Sequence, residues 1–430
     1  MLKSSRWSTI APLLALLLIV AGSPGVIAQE DSELEDDFDR VAEATAEVRE
    51  LPLDDEIVER FLAREELRQD LVERLGQDYP PAEAEADARA LAAFGLIPEG
   101  TDLLSLYLDL LTENVAGFYD QETDEMYLIG SDFGALEEFT YSHEVVHALQ
   151  DQNLGLGEIL EALVERSDDE ALAVSALYEG DAMAASLAYV LEHPVLAARL
   201  AGSTLTAQQD LPELEAAPPV LVAGLLFPYL SGQPFVEAIR AEGGWEAVDA
   251  AYDDLPVSTE QVLHPEKYIE RDDPTPVTLP DLAPALGEDW TVVDEDVVGE
   301  LQTAVLLANL APGEAMSSTT GLLNLPDEAS AAAAGWDGDR YALWADTDEE
   351  VMVWSSVWDS DQEASEFATA LRQREATRLG GTFDESTPGA STLVSGDRAV
   401  RIDQDGAAVR YLLAPTLERA DQVIETLDAA

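Results

Sequence analysis

The stretch TYSHEVVHAL, residues 140–149, constrains this chain most because it places polar side chains inside an apolar helix pattern. Residues four apart lie on one face of a helix, so His143 and His147 can both direct a ring nitrogen at one metal ion. Glu144 is rotated by about 100° from His143, beside such an ion, where its carboxylate can accept a proton from an activated water. The uncharged neighbours predict a buried helix over Leu136–Gln152, in which an unpartnered His-Glu-His group would be costly. The alternative is a chance match, because a five-residue pattern with two free positions recurs in unrelated proteins.

A catalytic zinc site needs a third protein ligand and leaves its fourth position to water. A second long helix is predicted over residues 170–192, and Glu179 lies in its middle among Ala, Leu and Tyr. A carboxylate buried there would be costly unless a metal ion bound it, which makes Glu179 the candidate third ligand. The alternative is a solvated helix face, since acids are frequent in this chain. Asp181 points away from Glu179 on a regular helix and is a candidate to orient a ligand histidine.

These residues give the chain a resemblance to the gluzincin metallopeptidases, in which two helix histidines and a downstream glutamate hold zinc. The resemblance implies that His143, His147 and Glu179 are zinc ligands and that Glu144 is the general base of peptide hydrolysis. Blocks between about residues 40 and 345, most strongly 117–182, also look like an uncharacterised group of secreted bacterial and archaeal HExxH proteins. Two features depart from the thermolysin-type pattern. Met183 stands where that pattern has an acid, and the spacing from the histidines to Glu179 is longer.

Only two histidines remain in the chain, and gluzincins commonly use a His or Tyr to stabilise the oxyanion. His264 lies in the polar loop TEQVLHPEKY and is the candidate for this role, with an ordinary surface histidine as the alternative. His193 precedes Pro194 at a helix end, where it is expected to cap carbonyl groups. Lys267 is expected either to assist at the site or to pair with a carboxylate in its own loop.

The net charge of the chain limits the classes of molecule that it is expected to bind. There are 88 acidic and 22 basic residues, which gives a formal net charge of −66. So many surface carboxylates repel nucleic acid and anionic lipid, so neither is an expected partner. The acid-rich, lysine-poor composition is typical of halophile proteins, in which concentrated salt screens self-repulsion; an acidic secreted protein from an ordinary habitat is the alternative. There is no cysteine, so no disulfide can stabilise the fold.

The first residues read as an export signal. Lys3 and Arg6 precede an apolar run, Ile10 to Ala21, which is followed by helix breakers and small residues around Ala28. We therefore expect a signal peptide over residues 1–28 and a location outside the cell or on the exterior of its envelope. A membrane contact is expected only if this segment is retained as an anchor.

The remaining pattern predicts an α+β protein with a mostly helical, zincin-like catalytic part and a smaller C-terminal domain. Residues 29–116 read as helical, and residues 117–275 form the predicted zinc metallopeptidase core. Within that core, Met126–Ile129 is predicted to be a strand whose edge aligns an extended peptide. After a Pro-rich linker, residues 276–430 are predicted to be an α+β domain with a strand-strand-helix unit that occurs twice.

The sequence thus predicts a secreted zinc peptidase with a peptide or protein substrate. Two alternatives stay open: a non-catalytic envelope protein with a structural zinc site, and a zinc amidohydrolase acting on non-peptide substrates. A structural site would use four protein ligands, and no fourth is obvious in the sequence, which favours catalysis.

Overall fold

The structure, a computed structural model, describes residues 31–121, 123–130, 133–206, 212–315 and 324–429. The predicted signal peptide, residues 1–28, lies outside the described residues. The helices are α1 (Asp31–Arg49), α2 (Arg64–Asp78), α3 (Pro81–Phe94), α4 (Leu103–Asn114), α5 (Ala135–Leu154), α6 (Leu156–Leu163), α7 (Asp168–Glu192), α8 (Pro194–Thr206), α9 (Pro212–Ala216), α10 (Pro219–Leu230), α11 (Gly232–Gly243), α12 (Trp245–Ala251), α13 (Thr259–Leu263), α14 (Pro265–Glu270), α15 (Ala283–Leu286), α16 (Gly299–Ala308), α17 (Asp327–Ala333), α18 (Asp361–Leu379) and α19 (Leu417–Leu427).

The strands form two sheets, and the fold is mixed α+β, as the sequence predicts. The strands are β1 (Val58–Leu62), β2 (Gly117–Asp120), β3 (Glu125–Ile129), β4 (Thr291–Asp296), β5 (Trp336–Ala345), β6 (Glu350–Trp358), β7 (Asp384–Thr387), β8 (Ala390–Ser395), β9 (Arg398–Asp405) and β10 (Ala408–Ala414). The first sheet has the order β1-β3-β2, and the second has the order β4-β5-β6-β10-β9-β8-β7 with antiparallel neighbours.

The helical part is built around α5 and α7, which pack on each other and on α1, and α7 also packs on α10 and α11. The close approach of α7 to α11 depends on two glycines. A Cβ on Gly180 would lie 2.3 Å from backbone atoms of Gly232, and one on Gly232 would lie 2.2 Å from the carbonyl oxygen of Ala176. Any larger side chain would push the helices apart, because real Cβ contacts do not become so short. The residue next to Gly180 is Glu179, so this contact also fixes the position of the candidate ligand.

The C-terminal sheet is covered on both faces because its apolar residues alternate. On β5, Tyr341 and Leu343 face one core with α3 and α18, while Ala342 and Trp344 face another core with α19. The two predicted strand-strand-helix units are confirmed as β5-β6-α18 and β9-β10-α19. Strands β4, β7 and β8 were not predicted and extend the sheet at both edges.

Two predictions about the first sheet are wrong. Residues 58–62 lie in the region that the sequence predicts to be helical, but they form β1, which pairs in parallel with β3. The segment mixes Val58 and Phe61, which favour strands, with good helix formers such as Glu59, Arg60 and Leu62, so the pairing with β3 decides its structure. The sequence predicts that Met126–Ile129 offers a strand edge to a peptide, but β3 has β1 on one side and β2 on the other, so its backbone is already paired.

One helical stretch of the described residues, Pro219–Gly243, is long and apolar enough to cross a membrane by length and composition. It comprises α10 and α11, and 78% of its most apolar window is buried inside the protein. This burial is typical of a core helix in a folded domain.

Candidate metal centre

Helix α5 carries two histidines on its buried face. The helix begins after Gly134 and ends at Gly155, whose left-handed backbone (φ 70°) is the usual glycine C-cap. Its bounds confirm the predicted helix over Leu136–Gln152. The Nε2 atoms of His143 and His147 lie 3.2 Å apart, which their spacing of four residues on one helix face allows.

Helix α7 brings Glu179 to these histidines. One carboxylate oxygen, Oε2, lies 3.1 Å from the Nε2 atom of His143 and 3.4 Å from that of His147. A tetrahedral ion with bonds of 2.0–2.1 Å separates its ligand atoms by about 3.3 Å. The three observed separations match this value, so His143, His147 and Glu179, the metal group, could hold a metal ion. The ligand set that the sequence predicts is therefore brought together.

The group is almost fully removed from solvent. His143 is 0% exposed, Glu179 is 1% exposed and His147 is 6% exposed. Burial lowers the pKa of His143 to about 4. Burial acts on His147 in the same direction, but the negative charge and hydrogen bond of Glu179 outweigh it and raise the pKa of His147 to about 9.

The pKa of the Glu179 carboxylate is lowered, whereas the pKa of His147 is raised. Burial raises the pKa of Glu179, but the nearby charge of His147 and the hydrogen bonds of both histidines leave it below its ordinary value. These opposite shifts favour a proton on His147 beside an anionic Glu179. Metal ligands must be deprotonated at the binding atom, so a metal ion would displace this proton.

Glu144 lies beside the group and is not part of it. Its side chain is 0% exposed, and Oε2 accepts a hydrogen bond of 3.1 Å from the backbone N–H of Tyr119. Tyr119 belongs to β2, which is an edge strand of its sheet and packs against α5. The negative charge of Glu144 also helps to raise the pKa of His147. The general-base candidate is therefore next to both the metal group and a strand edge.

Asp181 touches neither histidine. Its carboxylate accepts hydrogen bonds from Arg49, Tyr252 and the side-chain amide of Gln150. Gln150 in turn contacts Nδ1 of His147 at 2.9 Å. The predicted orienting role of Asp181 can thus operate only through Gln150.

Tyr229 of α10 is a site residue that the sequence analysis missed. Its hydroxyl donates a 3.0 Å hydrogen bond to Oε1 of Glu179, and its ring centroid lies 6.2 Å from that of His143. Burial and the negative charge of Glu179 raise the pKa of Tyr229 well above its ordinary value, so the hydroxyl keeps its proton. The only sequence signal was one hydroxyl-bearing residue in the apolar run LVAGLLFPYL.

The structure does not bring His264 into the metal group. Its Nε2 atom lies 3.0 Å from Oε1 of Glu300, and this hydrogen bond raises the pKa of His264. Its predicted oxyanion role stays a prediction that its observed partner does not support. His193 ends α7 with Nδ1 at 2.7 Å from the carbonyl oxygen of Tyr189, which confirms the predicted cap. Lys267 pairs at 2.6 Å with Glu260, which confirms the expected local ion pair.

A large surface cleft lies apart from the metal group. Its volume is about 1060 Å³, and it opens between α3 and the C-terminal sheet, with Arg89, Glu350 and Arg398 among its lining residues. The metal group does not line it. Two of its cations are already paired, Arg89 with Glu350 and Arg398 with Glu99.

Comparison with known families gives one match. A family described as "Domain of unknown function (DUF8575)" matches residues 290–424, from β4 into α19. This region lies within the C-terminal domain predicted over residues 276–430 and excludes the metal group. No curated protein and no solved structure matches the chain.

Proposed function

We propose that this protein is a zinc-dependent peptidase of the gluzincin type. One observation carries the proposal: His143, His147 and Glu179 direct three ligand atoms at one point, and Glu144 lies beside them on the same helix. Two imidazoles and one carboxylate are a ligand set that suits zinc, and three protein ligands leave one position for water. No fourth His, Cys, Asp or Glu joins this group within the described residues.

The residues around the group divide the chemistry among them. Zinc, when bound, would acidify a water molecule and polarise the carbonyl of the scissile bond. The Glu144 carboxylate accepts the proton of the attacking water and delivers it to the leaving amine. The protonated hydroxyl of Tyr229, which donates to Oε1 of Glu179 in the structure, would turn from this partner to donate to the negative charge that develops on the substrate oxygen. Tyr229 takes the role that the sequence analysis gave to His264.

An extended peptide or protein segment is the proposed substrate, and β2 replaces β3 as the strand that aligns it. Strand β2 pairs with β3 on one side and has no strand partner on its other side among the described residues, and it packs against α5. The N–H of Tyr119 already points from β2 to Glu144. A substrate strand that ran along β2 would therefore pass the general base, and main-chain hydrogen bonds would fix its register.

A structural zinc site is the second candidate, and the burial of the group favours it. All four residues of interest, His143, Glu144, His147 and Glu179, are at most 6% exposed. A peptide must reach the metal in the catalytic case, whereas a structural ion needs no access. In this case the protein would act at the cell envelope without catalysis, through its C-terminal domain.

The location outside the cell is part of the proposal. It rests on the signal pattern over residues 1–28 and on the acidic, cysteine-free composition. Membrane contact would require that this segment remain attached as an anchor.

Removal and return of the metal tests the proposal. The purified protein should contain one zinc ion per chain and hydrolyse denatured casein in molar salt. A chelator should abolish hydrolysis, and zinc should restore it in the wild type but not in His147→Ala. Hydrolysis that survives complete zinc removal would refute the assignment. Stoichiometric zinc without hydrolysis of any peptide would favour the structural site.

A further inference from the structure

Arg49 is the last residue of α1, and it is far from α5 and α7 in sequence. Its side chain is nevertheless 0% exposed and contacts residues of the core. A guanidinium ion is always charged, so its burial requires close partners of opposite charge. The identity of those partners shows what Arg49 does.

The guanidinium is held from three sides. Its Nε atom donates to Oδ1 of Asp181 at 2.6 Å, and one terminal nitrogen donates to Oδ2 of Asp181 at 3.1 Å and to Asp249 at 2.6 Å. The indole ring of Trp245 lies 4.4 Å from the guanidinium carbon. Burial alone would lower the pKa of Arg49, but the carboxylate of Asp181 raises it above its ordinary value. The two-pronged contact fixes the plane of the Asp181 carboxylate.

The Asp181 carboxylate also accepts hydrogen bonds from two neutral donors. The hydroxyl of Tyr252 donates to Oδ2 at 2.8 Å, and the amide nitrogen of Gln150 donates to the same oxygen at 3.1 Å. Asp181 is 0% exposed, so no solvent competes for these contacts. Each of these partners donates to the Asp181 carboxylate.

Gln150 is thereby held in one orientation. Its amide nitrogen donates to Asp181 and, at 2.9 Å, to the carbonyl oxygen of Tyr178. Both of these partners accept hydrogen bonds, so the amide cannot be turned by 180° without placing oxygen against oxygen. The amide oxygen must then face Nδ1 of His147, 2.9 Å away.

The orientation of Gln150 decides which nitrogen of His147 can bind a metal ion. An amide oxygen only accepts, so Nδ1 of His147 must carry a hydrogen. In the metal-bound form this leaves the lone pair on Nε2, which is the atom that faces Glu179 and His143. Nδ1 of His143, by contrast, is buried without a hydrogen-bond partner among the described residues. The structure thus orients one ligand histidine by contacts beyond the metal group.

We propose that Arg49 is a positioning residue of the metal centre. It acts through Asp181 and Gln150 to hold His147 with Nδ1 protonated and Nε2 directed at the metal. Helix α1 then contributes a positioning residue to the metal centre. This inference rests on the proposed function, because it assigns the relay to the zinc site proposed above.

A double-mutant cycle on zinc affinity tests the relay. The variants are Arg49→Met, Gln150→Leu and the double variant, and zinc affinity is measured by competition with a chromophoric chelator. Loss of a contact behind a ligand histidine typically weakens metal binding by about 10–100-fold, and we expect this loss in each single variant. Because Arg49 acts through Gln150, the double variant should bind zinc no more weakly than Gln150→Leu alone.

Matched variants separate positioning from general damage to the fold. Arg374 of α18 is also buried and paired with an acid, Glu375, so Arg374→Met should leave zinc affinity unchanged. Arg49→Lys keeps the charge but not the two-pronged geometry and should restore part of the lost affinity. With four histidines in the chain, a long-range 1H–15N spectrum of the zinc-loaded protein should resolve the Nδ1–H of His147. We expect Gln150→Leu to shift this signal and expose its proton to exchange, even if Arg49→Met does not fold.

The outcomes can be told apart. Unchanged zinc affinity in folded Arg49→Met, or a full additional loss from Arg49→Met in the Gln150→Leu background, would overturn the relay alone. An unchanged His147 signal in Gln150→Leu would also overturn it. A wild-type protein that binds no zinc would defeat the proposed function together with this inference.

Discussion

Asp169 offers a quantitative test of how far burial shifts the pKa of a carboxyl group in this protein. It lies in the first turn of α7 and is 4% exposed. It accepts hydrogen bonds from the hydroxyl of Thr259 at 2.5 Å and from the backbone N–H of Thr259 at 3.2 Å. Burial and the nearby negative charge of Asp339 raise the pKa of Asp169 from 3.8 to about 7. The hydrogen bonds from Thr259 act in the opposite direction but are outweighed.

The sign of the effect follows from proton linkage. Between pH 4 and pH 7 the folded state retains a proton that the unfolded state has released. The free energy of unfolding therefore falls as the pH rises through this window and then becomes constant above the folded pKa. One pKa unit corresponds to about 1.4 kcal/mol, so from pH 5 to pH 8 Asp169 should remove roughly 2–3 kcal/mol of stability.

The replacement Asp169→Asn isolates this contribution, because asparagine has a similar shape and does not titrate. Urea unfolding of both proteins at pH 5 and at pH 8, at one fixed high salt concentration, gives the free energies. Relative to the wild type, the variant should gain roughly 2–3 kcal/mol on going from pH 5 to pH 8. Leu172→Ala is a control in the same helix, since it should destabilise by an amount that does not depend on pH. An Asp169→Asn difference that is equal at both pH values would refute the reasoning.

Three further predictions concern the site and the surface. His147→Ala should abolish stoichiometric zinc binding, as measured by metal analysis, because one imidazole and one carboxylate are inadequate to hold the ion; retained zinc would show that the ligand set is wrong. Tyr229→Phe should lower kcat on a peptide substrate by roughly 100-fold with little change in KM, because the hydroxyl acts on charge that develops in the transition state; an equal kcat would remove Tyr229 from the mechanism. The melting temperature should rise from dilute buffer to molar sodium chloride and equally with another monovalent cation, because the Debye length falls from about 30 Å at 0.01 M to about 3 Å at 1 M; a flat or falling curve would contradict the halophile interpretation of the −66 net charge.

The parts of the site that the sequence predicted are those that local pattern determines. His143 and His147 were recognisable because a helix with spacing four must place them together. Glu179 was recognisable because an acid in an apolar helix is costly unless it has a partner. Tyr229 could not be identified in the same way, since tyrosine is common in apolar helices and needs no metal to justify its burial.

The parts of the fold that the sequence missed depend on contacts distant in sequence. Strand β1 contains apolar residues that suit a helix as well as a strand, and only its pairing with β3 decides between them. The order β1-β3-β2 is likewise a tertiary property, which is why β3 was taken for an edge. The C-terminal pairs β5-β6 and β9-β10 were easier, because each joins two alternating segments through a short turn. Arg49 was not identified because its partners, Asp181 and Asp249, lie 132 and 200 residues away.

The central claim is that the metal group is catalytic and that Glu144 acts on the substrate water without holding the metal. Glu144→Gln tests it most directly, because the amide keeps the shape of the side chain and cannot act as a base at neutral pH. Metal content and peptide hydrolysis are measured on the same preparation in molar salt. The account predicts one zinc per chain, an unchanged melting temperature within a few degrees, and hydrolysis reduced by at least about 100-fold. Loss of zinc in Glu144→Gln, or hydrolysis at the wild-type rate, would contradict the account.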